Sequence, residues 1–426
     1  MSTLIKVEEY LPRLIDDTIE EYLKSCGAIC IEGPKWCGKT WTSAFHSNSH
    51  FLVGSSDNGF YNREFAKISP SSTLKGDTPR LIDEWQEVPS LWDAVRAEVD
   101  VRNEYGLIIL TGSSTPTIKG VMHSGIGRIA CIRMDTMTLF ESNDSTGSVS
   151  LAKLVKGEVE PHFTKELSLE NIAKLIVRGG WPKNINALNP SIMPKSYVER
   201  IINGTLTDEE KKNFPSSKVE KILKSLARNE STTASISRIA KDIEEIDKVS
   251  ISPDTVTRYL DIFNRMFLFN NQLPFDTNVR SSIRVKGMVK RHFCDPSLAC
   301  SILDLNEKKL LNDLNTFGLL FESLVERDLN VYAKSNNAKL YHYQNYSDEE
   351  IDAVIELDDG NWCAFEIKLS ANRIDEGATN LNKVCKHIVE SGGKAPIVKA
   401  VICGLGNAFY KRNDDVYVIP IGCLRN

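Results

Sequence analysis

Short apolar runs alternate with helix-like segments along the first third of the chain. Five runs have strand length, GAICIE, FLVGS, RLIDEW, GLIILTGSS and RIACIRM, and segments such as KTWTSAFHS and PSLWDAVRAEVD separate them. The second of these segments opens with proline, which favours the first turn of a helix. Strands that alternate with helices are typical of a parallel sheet covered on both faces. We predict an α/β domain over residues 1–145, next to a polar linker, SNDSTGSVS.

The pattern becomes helical in the middle of the chain, over residues 151–300. Three amphipathic segments, SKVEKILKSLARN, ISRIAKDIEEID and SPDTVTRYLDIFNRMF, precede a strand-like MFLFNNQLPF. Ser252 and Pro253 give the third segment an N-cap and a first helical residue. This order predicts a winged-helix domain. From Ser216 to Phe293 there are 14 Lys and Arg against 9 Asp and Glu. A DNA-reading helix and a helical connector both fit this mild excess of positive charge.

A third region follows from about residue 305 to residue 426. It opens with a long amphipathic helix, NTFGLLFESLVERDLNVYA, and continues with the strand-like KLYHYQ, DAVIEL and WCAFEIK. A further helix near NLNKVCKHIVE precedes a last apolar strand, IVKAVICG. The sequence therefore predicts a separate α/β domain at the C-terminal side.

The segment IEGPKWCGKTWTS carries the spacing of a phosphate-binding loop. Gly33, Gly38, Lys39 and Thr40 follow the order G-x-x-x-x-G-K-T, and the segment lies between a predicted strand and a predicted helix. In such a loop the backbone N–H groups face phosphate oxygens, the lysine reaches the terminal phosphates and the threonine hydroxyl binds Mg²⁺. We expect ATP to contact Gly33, Pro34, Lys35, Trp36, Cys37, Gly38, Lys39, Thr40 and Trp41.

Polar residues at the ends of later strands complete the predicted ATP site. Asp83 is expected to hold Mg²⁺, and Glu84 to polarise the attacking water. Ser113, at the end of LIILTGSS, is a candidate sensor of the terminal phosphate, with an ordinary strand-ending turn as the alternative. Arg128 follows two glycines and is a candidate arginine finger, in cis or from a neighbouring subunit. A surface arginine before a strand is its alternative.

The amino-acid composition excludes only a few classes of protein. The 426 residues exceed what one hydrophobic core usually serves, and the net charge of -5 argues against a protein that coats nucleic acid by charge alone. Ten cysteines are scattered without the C-x-x-C pairs of a zinc site, which favours buried free thiols in a reducing compartment. The chain shows no apolar leader and no run of eighteen apolar residues, so we expect a cytoplasmic location and no membrane partner.

Several motifs together resemble one known group of proteins. GPKWCGKT, LIDEWQEVPSLWDAVR, LTGSS, GIGR with MTLFES, GGWP and the late FGLLFESLVERDL with FEIKLS are similar to bacterial and archaeal AAA-type P-loop ATPases that carry a C-terminal restriction-endonuclease-like domain. The resemblance covers nearly the whole chain. It implies ATP binding more firmly than any biological role.

The resemblance directs attention to a second set of polar residues. Nucleases of the PD-(D/E)xK type hold Mg²⁺ with an Asp and with a Glu two residues before a Lys. Asp352, Glu366 and Lys368 follow that order, and Glu322 is a further candidate ligand from the preceding helix. Glu366 and Lys368 share one strand face because side chains alternate. Lys368 is then expected to activate water for cleavage. The alternative is a domain that keeps the fold without cleaving.

These observations support one leading hypothesis and one competitor. The first is an Mg²⁺-dependent ATPase whose nucleotide state moves a winged-helix and nuclease-like module acting on DNA. The second is a nucleotide-loaded switch or scaffold with little turnover and an inactive nuclease-like domain. DNA, a partner protein or further copies of the chain are the expected partners.

Overall fold

The computed structural model describes residues 9–54, 59–114, 124–204, 215–276 and 287–426. The chain divides into two compact units, residues 1–136 with 262–268, and residues 137–261 with 269–426. The helices in the described ranges are α1 Asp16–Ser25, α2 Lys39–Phe45, α3 Gly59–Ile68, α4 Pro70–Thr73, α5 Ser90–Arg102, α6 Leu151–Lys156, α7 Leu169–Arg178, α8 Ile192–Gly204, α9 Ser216–Arg228, α10 Ile236–Asp247, α11 Pro253–Arg265, α12 Pro296–Ile302, α13 Glu307–Asn312, α14 Leu314–Ser335 and α15 Ile374–Glu390. The strands are β1 Ala28–Glu32, β2 Ser49–Leu52, β3 Arg80–Asp83, β4 Ile108–Gly112, β5 Ile129–Arg133, β6 Val149–Ser150, β7 His162–Phe163, β8 Leu273–Pro274, β9 Lys339–Gln344, β10 Glu350–Glu356, β11 Trp362–Lys368, β12 Val398–Cys403, β13 Ala408–Lys411, β14 Tyr417–Pro420 and β15 Leu424–Arg425.

The first unit is built on a parallel five-stranded sheet with the order β2-β3-β4-β1-β5. Both faces of this sheet are buried. One face packs against Leu91 and Val95 of α5, and the other packs against Ile19 of α1. The predicted parallel α/β domain is thereby confirmed. Because β1, β3 and β4 are parallel neighbours, their carboxyl ends lie at one edge of the sheet.

The second unit contains the remaining helices and an eight-stranded mixed sheet with the order β7-β13-β14-β12-β11-β10-β9-β8. The long helix α14 is predominantly buried, and α15 packs its apolar face on β11 and β12. Strand β11 pairs antiparallel with β10 and parallel with β12. This pairing brings the acidic residues of β10 next to those of β11.

The middle helices α9, α10 and α11 are followed by antiparallel bridges rather than by one regular strand. Phe269 pairs with Phe293 and Gln272 with Lys290, while Thr232, between α9 and α10, pairs with Arg291. This order of helices and bridges is compatible with a winged helix, which stays a prediction. Residues 277–286, where a wing would have its tip, lie outside the described residues.

The polar segment over residues 142–150 is packed rather than extended between domains. Ser145 donates a hydrogen bond to the carbonyl of Leu424 at 2.7 Å, and Ser150 donates to the main chain of Asn426 at 2.7 Å. Strand β6 also pairs with β15. The expectation of a linker here is wrong, because neighbours distant in sequence satisfy its hydroxyls. The predicted boundaries of the three domains stay predictions.

No helix within the described ranges combines the length and the apolar character needed to cross a membrane.

Candidate functional sites

The phosphate-binding loop connects the end of β1 to the start of α2. A side chain at Gly33 would place its Cβ 2.1 Å from the carbonyl oxygen of Met134, so only glycine fits there. Gly38 has a φ of 110°, in the region that glycine favours. The Lys39 ammonium is buried in the loop and donates to the carbonyls of Gly33 at 2.9 Å and Pro34 at 2.8 Å. The lysine therefore lies inside the curve of the loop, as its predicted role requires.

Other predicted loop residues differ in their exposure. Pro34 and Cys37 are buried, and the Cys37 thiol lies 3.7 Å from the carbonyl oxygen of Met134. Lys35 and Trp36 are exposed, while Trp41 is half-buried. Contact of these residues with a nucleotide stays a prediction.

A buried arginine supports the loop from behind. Arg13 donates from Nη1 to the carbonyl of Cys37 at 2.8 Å and from Nη2 to the carbonyl of Asp135 at 2.9 Å. No sequence motif points to Arg13, which is a lone arginine ahead of α1. Its two hydrogen bonds connect the loop at Cys37 to the segment that follows β5 at Asp135.

Asp83 and Thr40 meet at the end of β3, as predicted. The Thr40 hydroxyl donates to Asp83 Oδ1 at 2.9 Å, and the Thr111 hydroxyl donates to the same oxygen at 2.6 Å. Burial raises the pKa of Asp83, and the two hydroxyl hydrogen bonds oppose that rise. A carboxylate and a hydroxyl are hard oxygen donors of the kind that Mg²⁺ prefers. Thr40 and Asp83 therefore fit a bound Mg²⁺, which is the ion that the predicted chemistry of the loop requires.

Glu84 is turned toward the end of β4 by an unusual backbone conformation. Its φ of 58° and ψ of 47° are left-handed, which is uncommon for a residue other than glycine. Its backbone N–H donates to the Thr111 hydroxyl at 3.0 Å. Its carboxylate accepts from Ser113 Oγ at 2.9 Å and from the side-chain amide of Gln86. The structure therefore holds the predicted base and the predicted sensor in one hydrogen-bonded group.

Gln86 is a second residue that the sequence analysis missed. Its amide nitrogen also lies 3.3 Å from Ser113 Oγ, so Gln86 contacts both Glu84 and Ser113. A glutamine two positions after Glu84 was the available signal, but the sequence does not show that the chain turns at this point. The 3₁₀ turn over Trp85–Glu87 is what returns this side chain to the strand ends.

Arg128 lies away from this group. Its carbonyl accepts from the N–H of Ala28, at the amino end of β1, whereas the loop leaves the carboxyl end. Five strand residues at about 3.3 Å each separate the two ends by about 16 Å. The exposed guanidinium pairs with Asp100 at 2.8 Å. The interpretation of Arg128 as a finger acting in cis is therefore wrong in this structure. A role from a neighbouring subunit stays a prediction.

The acidic residues of β10 and β11 converge in the second unit. The Lys368 ammonium lies 3.2 Å from Asp352 Oδ2 and 2.5 Å from Glu366 Oε2. Asp352 also accepts from the N–H of Ile367 at 2.8 Å, and Glu366 accepts from Asn380 at 2.9 Å. The spacing of the three residues thus produces the predicted cluster. Burial raises the pKa of Glu366 to about 8, against the neighbouring charge of Lys368.

A lysine that the sequence analysis missed fills the neighbouring part of the cluster. The Lys290 ammonium is buried and contacts Glu322 in a short ion pair, Glu326 at 3.1 Å and the carbonyl oxygen of Asp352 at 3.3 Å. Burial acts to lower the pKa of Lys290, but the carboxylates of Glu322, Glu326 and Asp352 outweigh it and raise that pKa well above its ordinary value. This lysine stays charged.

Two ammonium groups therefore occupy the positions from which a divalent cation would contact these acids. Lys290 lies at Glu322, and Lys368 lies between Asp352 and Glu366. A hard cation needs free carboxylate oxygens and repels an ammonium at the same distance. As arranged, the three predicted ligands of the second unit, Glu322, Asp352 and Glu366, do not fit a bound Mg²⁺.

Family comparisons agree with the geometry of the first unit. Residues 26–143 match the family described as AAA domain. Residues 169–309 and 317–424 match two domains of unknown function, DUF8612 and DUF4143. The curated relatives include uncharacterized proteins of Mycobacterium bovis and Mycobacterium tuberculosis, each 22% identical over 289 residues. The match covers 67% of this chain and 58% of each relative, so the chain spans little more than half of their length.

Solved structures give weaker likenesses. A Walker-type ATPase of Pyrococcus abyssi is 12% identical, with a TM-score of 0.41 over 70% of this chain and 97% of the other. The Orc1 protein of Aeropyrum pernix, solved in complex with DNA, is 10% identical, with a TM-score of 0.25 over 71% of this chain and 95% of the other. The family match and the loop geometry together identify residues 26–143 as an AAA-type P-loop domain.

Proposed function

We propose that the first unit binds ATP with Mg²⁺ and hydrolyses it. One observation carries this proposal: the two acids that end β3 have separate partners. Asp83 is bonded to the hydroxyls of Thr40 and Thr111, while Glu84 is bonded to Ser113 and Gln86. A hydrolase of this kind needs one group for the ion and a separate group that orients water. A loop that only stores nucleotide needs the first alone.

Each residue has a distinct task in the proposed reaction. Mg²⁺, held by Thr40 and Asp83, would neutralise charge on the phosphate oxygens. Lys39 would exchange its two carbonyl partners for phosphate oxygens, which accept stronger, charge-assisted hydrogen bonds. Glu84 would accept a hydrogen bond from water and orient it in line with the terminal phosphate. Ser113 and Gln86 keep that carboxylate in one orientation.

The decisive experiment compares Glu84→Gln with Glu87→Gln. Glu87 lies three residues later on the same turn, and its exposed carboxylate pairs with Arg63 at 2.7 Å. ATP binding would be measured with a fluorescent nucleotide, and hydrolysis by phosphate release. Glu84→Gln should keep binding and slow hydrolysis by about 10²- to 10⁴-fold, the usual contribution of a general base. Glu87→Gln should change neither.

Two results would overturn the assignment. Equal hydrolysis by Glu84→Gln and wild type would mean that the carboxylate does not act on water. ATP binding without measurable hydrolysis by wild type would instead support the competing hypothesis, a nucleotide-loaded switch.

We further propose that the second unit responds to the nucleotide without cleaving a phosphodiester. The ion pairs of Lys290 with Glu322 and Glu326, which the nuclease prediction did not include, support this view over the predicted metal-dependent nuclease. An assay of DNA nicking in Mg²⁺ and in Mn²⁺, with and without ATP, tests it. Nicking by wild type that is absent from Lys368→Ala would restore the nuclease hypothesis.

DNA and oligomeric partners stay proposals. Helix α11, the third helix of the predicted winged-helix domain, exposes Asp254 and Asp261 beside Arg258. That face carries no excess of positive charge, which sequence-independent binding to phosphates would need. DNA binding by this helix would therefore be weak and would depend little on salt, because few phosphate charges would be neutralised. A fluorescence-polarisation titration with duplex DNA at two salt concentrations measures it directly.

A further inference from the structure

Parallel pairing of β1 and β5 places two cysteines side by side. Cys30 of β1 is in register with Cys131 of β5, although a hundred residues separate them in sequence. Glu32 lies two positions after Cys30 and therefore on the same face of the sheet. The two sulfur atoms and a carboxylate oxygen of Glu32 all lie within 4.8 Å of one another. Three potential metal ligands thus converge on one face of the sheet.

The distances fit a tetrahedral ion. Zinc binds thiolate sulfur at about 2.3 Å and carboxylate oxygen at about 2.0–2.2 Å, which places two sulfurs of one tetrahedron about 3.8 Å apart. The three atoms are therefore close enough for one ion after small rotations of their side chains. Thiolates select zinc and similar thiophilic ions over Mg²⁺. The set is chemically distinct from the oxygen donors Thr40 and Asp83.

The site is also open on one side. Strand β5 is at the edge of the sheet, and Cys131 is exposed, whereas Cys30 is buried and Glu32 is half-buried. An ion can therefore reach Cys131 from solvent and then engage the two deeper ligands. The fourth position would remain open to water. Burial raises the pKa of Glu32, and the charge of Arg133, which lies next to Glu32 across the strand pair, opposes that rise.

We propose that Cys30, Cys131 and Glu32 form a binding site for Zn²⁺ at the edge of the AAA-type domain. Glu32 distinguishes a metal site from a pair of cysteines that only form a disulfide, because a disulfide needs no carboxylate ligand. Glu32 directly precedes Gly33, and its carbonyl accepts from the N–H of Met134 at 2.7 Å. A bound ion would therefore tie β5 to the strand end from which the phosphate-binding loop departs. The proposal does not depend on ATP hydrolysis.

Cobalt provides a spectroscopic test on the full chain. Protein stripped with a chelator and kept reduced would be titrated with Co²⁺, whose thiolate complexes absorb in the near ultraviolet, and then with Zn²⁺ as competitor. Wild type should develop the thiolate-to-cobalt band with one ion per chain, and Zn²⁺ should abolish it. Cys131→Ser should lose the band. Glu32→Gln should keep the band but weaken binding.

A half-buried cysteine outside the cluster supplies the matched control. Cys26→Ser should retain the full band, because that thiol is not among the three converging ligands. Thermal unfolding of each variant without metal would verify that the domain is folded. Because Cys131 is exposed, its replacement is not expected to unfold the protein, unlike replacement of the buried Cys30.

Three results would overturn the proposal. The first is the absence of a band in folded, reduced wild type at equimolar Co²⁺. The second is a band that survives Cys131→Ser. The third is unchanged affinity in Glu32→Gln, which would leave a dithiol without the carboxylate. If the reduced protein binds no metal and peptide mapping of air-exposed protein finds Cys30 joined to Cys131, the pair is redox-active instead.

Discussion

Replacing Lys290 with methionine tests whether a protein ammonium takes the place of a cation in the second unit. Methionine keeps much of the length and apolar contact of the side chain and removes the charge together with its N–H donors. Lys290→Met leaves Glu322 and Glu326 facing each other without their shared partner. Removing one partner of a buried ion pair costs about 3–5 kcal/mol. We expect the lower part of that range near neutral pH.

We expect the lower cost because the carboxylates of Glu322 and Glu326 can take up a proton. Burial raises the pKa of Glu322 to about 8 and that of Glu326 to about 7, so either carboxyl can bind a proton when the ammonium is gone. The exposed fraction of the Glu322 side chain, 15%, also lets water reach it. The loss of stability should therefore grow as the pH is raised toward 9, where proton uptake is less favourable.

Thermal unfolding followed by tryptophan fluorescence measures the effect, because Trp181 and Trp362 are buried in this unit. A loss of about 3 kcal/mol corresponds to a decrease in Tm of about 6–12 °C for a domain of 150–250 residues. Lys309→Met is the matched control, since its ammonium pairs with Asp304 at 3.2 Å on the surface. An exposed pair contributes about 0–1 kcal/mol.

Adding Mn²⁺ to Lys290→Met tests whether the lost ammonium stands where a divalent cation would bind. If the ammonium replaces a divalent cation, Mn²⁺ should stabilise Lys290→Met and leave wild type unchanged. An ion at a hundred times its Kd would restore about 2.7 kcal/mol. Equal stability of Lys290→Met and Lys309→Met would refute the compensating role of the ammonium. An increase in the Tm of wild type with Mn²⁺ would refute the replacement, because it would show a cation bound beside Lys290.

Three further outcomes are expected. Lys39→Ala should abolish binding of a fluorescent ATP analogue, since a methyl group cannot replace an ammonium among the phosphates; unchanged binding would contradict the loop assignment. Arg128→Ala should leave hydrolysis unchanged in dilute protein, because the guanidinium pairs with Asp100 at the far end of the strands; only a loss at high protein concentration would reveal action between subunits. Burial raises the pKa of Glu230 from 4.5 to about 8, so the folded state keeps a proton that the unfolded chain has lost. The free energy of unfolding should therefore fall as pH rises from about 4.5 through about 8, by up to about 1.4 kcal/mol per pH unit, and Glu230→Gln should flatten this slope in urea titrations.

The local pattern of the chain was sufficient to predict the parallel sheet of the first unit and the meeting of polar residues at its strand ends. Apolar runs between helical segments imply a parallel sheet, and parallel neighbours place their carboxyl ends together. The meeting of Thr40 with Asp83 and of Glu84 with Ser113 follows from that rule. Alternation along β11 similarly put Glu366 and Lys368 on one face. In each case the contact depends on a regular repeat, which a sequence displays directly.

Only the tertiary structure shows which side chains become neighbours when no regular helix or strand pattern links them. Lys290 reaches Glu322 from a segment next to α12, and its charge turns a predicted metal site into a set of ion pairs. Cys30 and Cys131 become neighbours only because β5 pairs with β1, a strand order that the spacing of cysteines does not reveal. Arg128 was assigned from a motif, yet its place at the amino end of β5 removes it from the loop. The physical reason is common to all three. The chemistry of a side chain depends on the charges within a few ångströms of it, and those are fixed by packing between segments far apart in sequence.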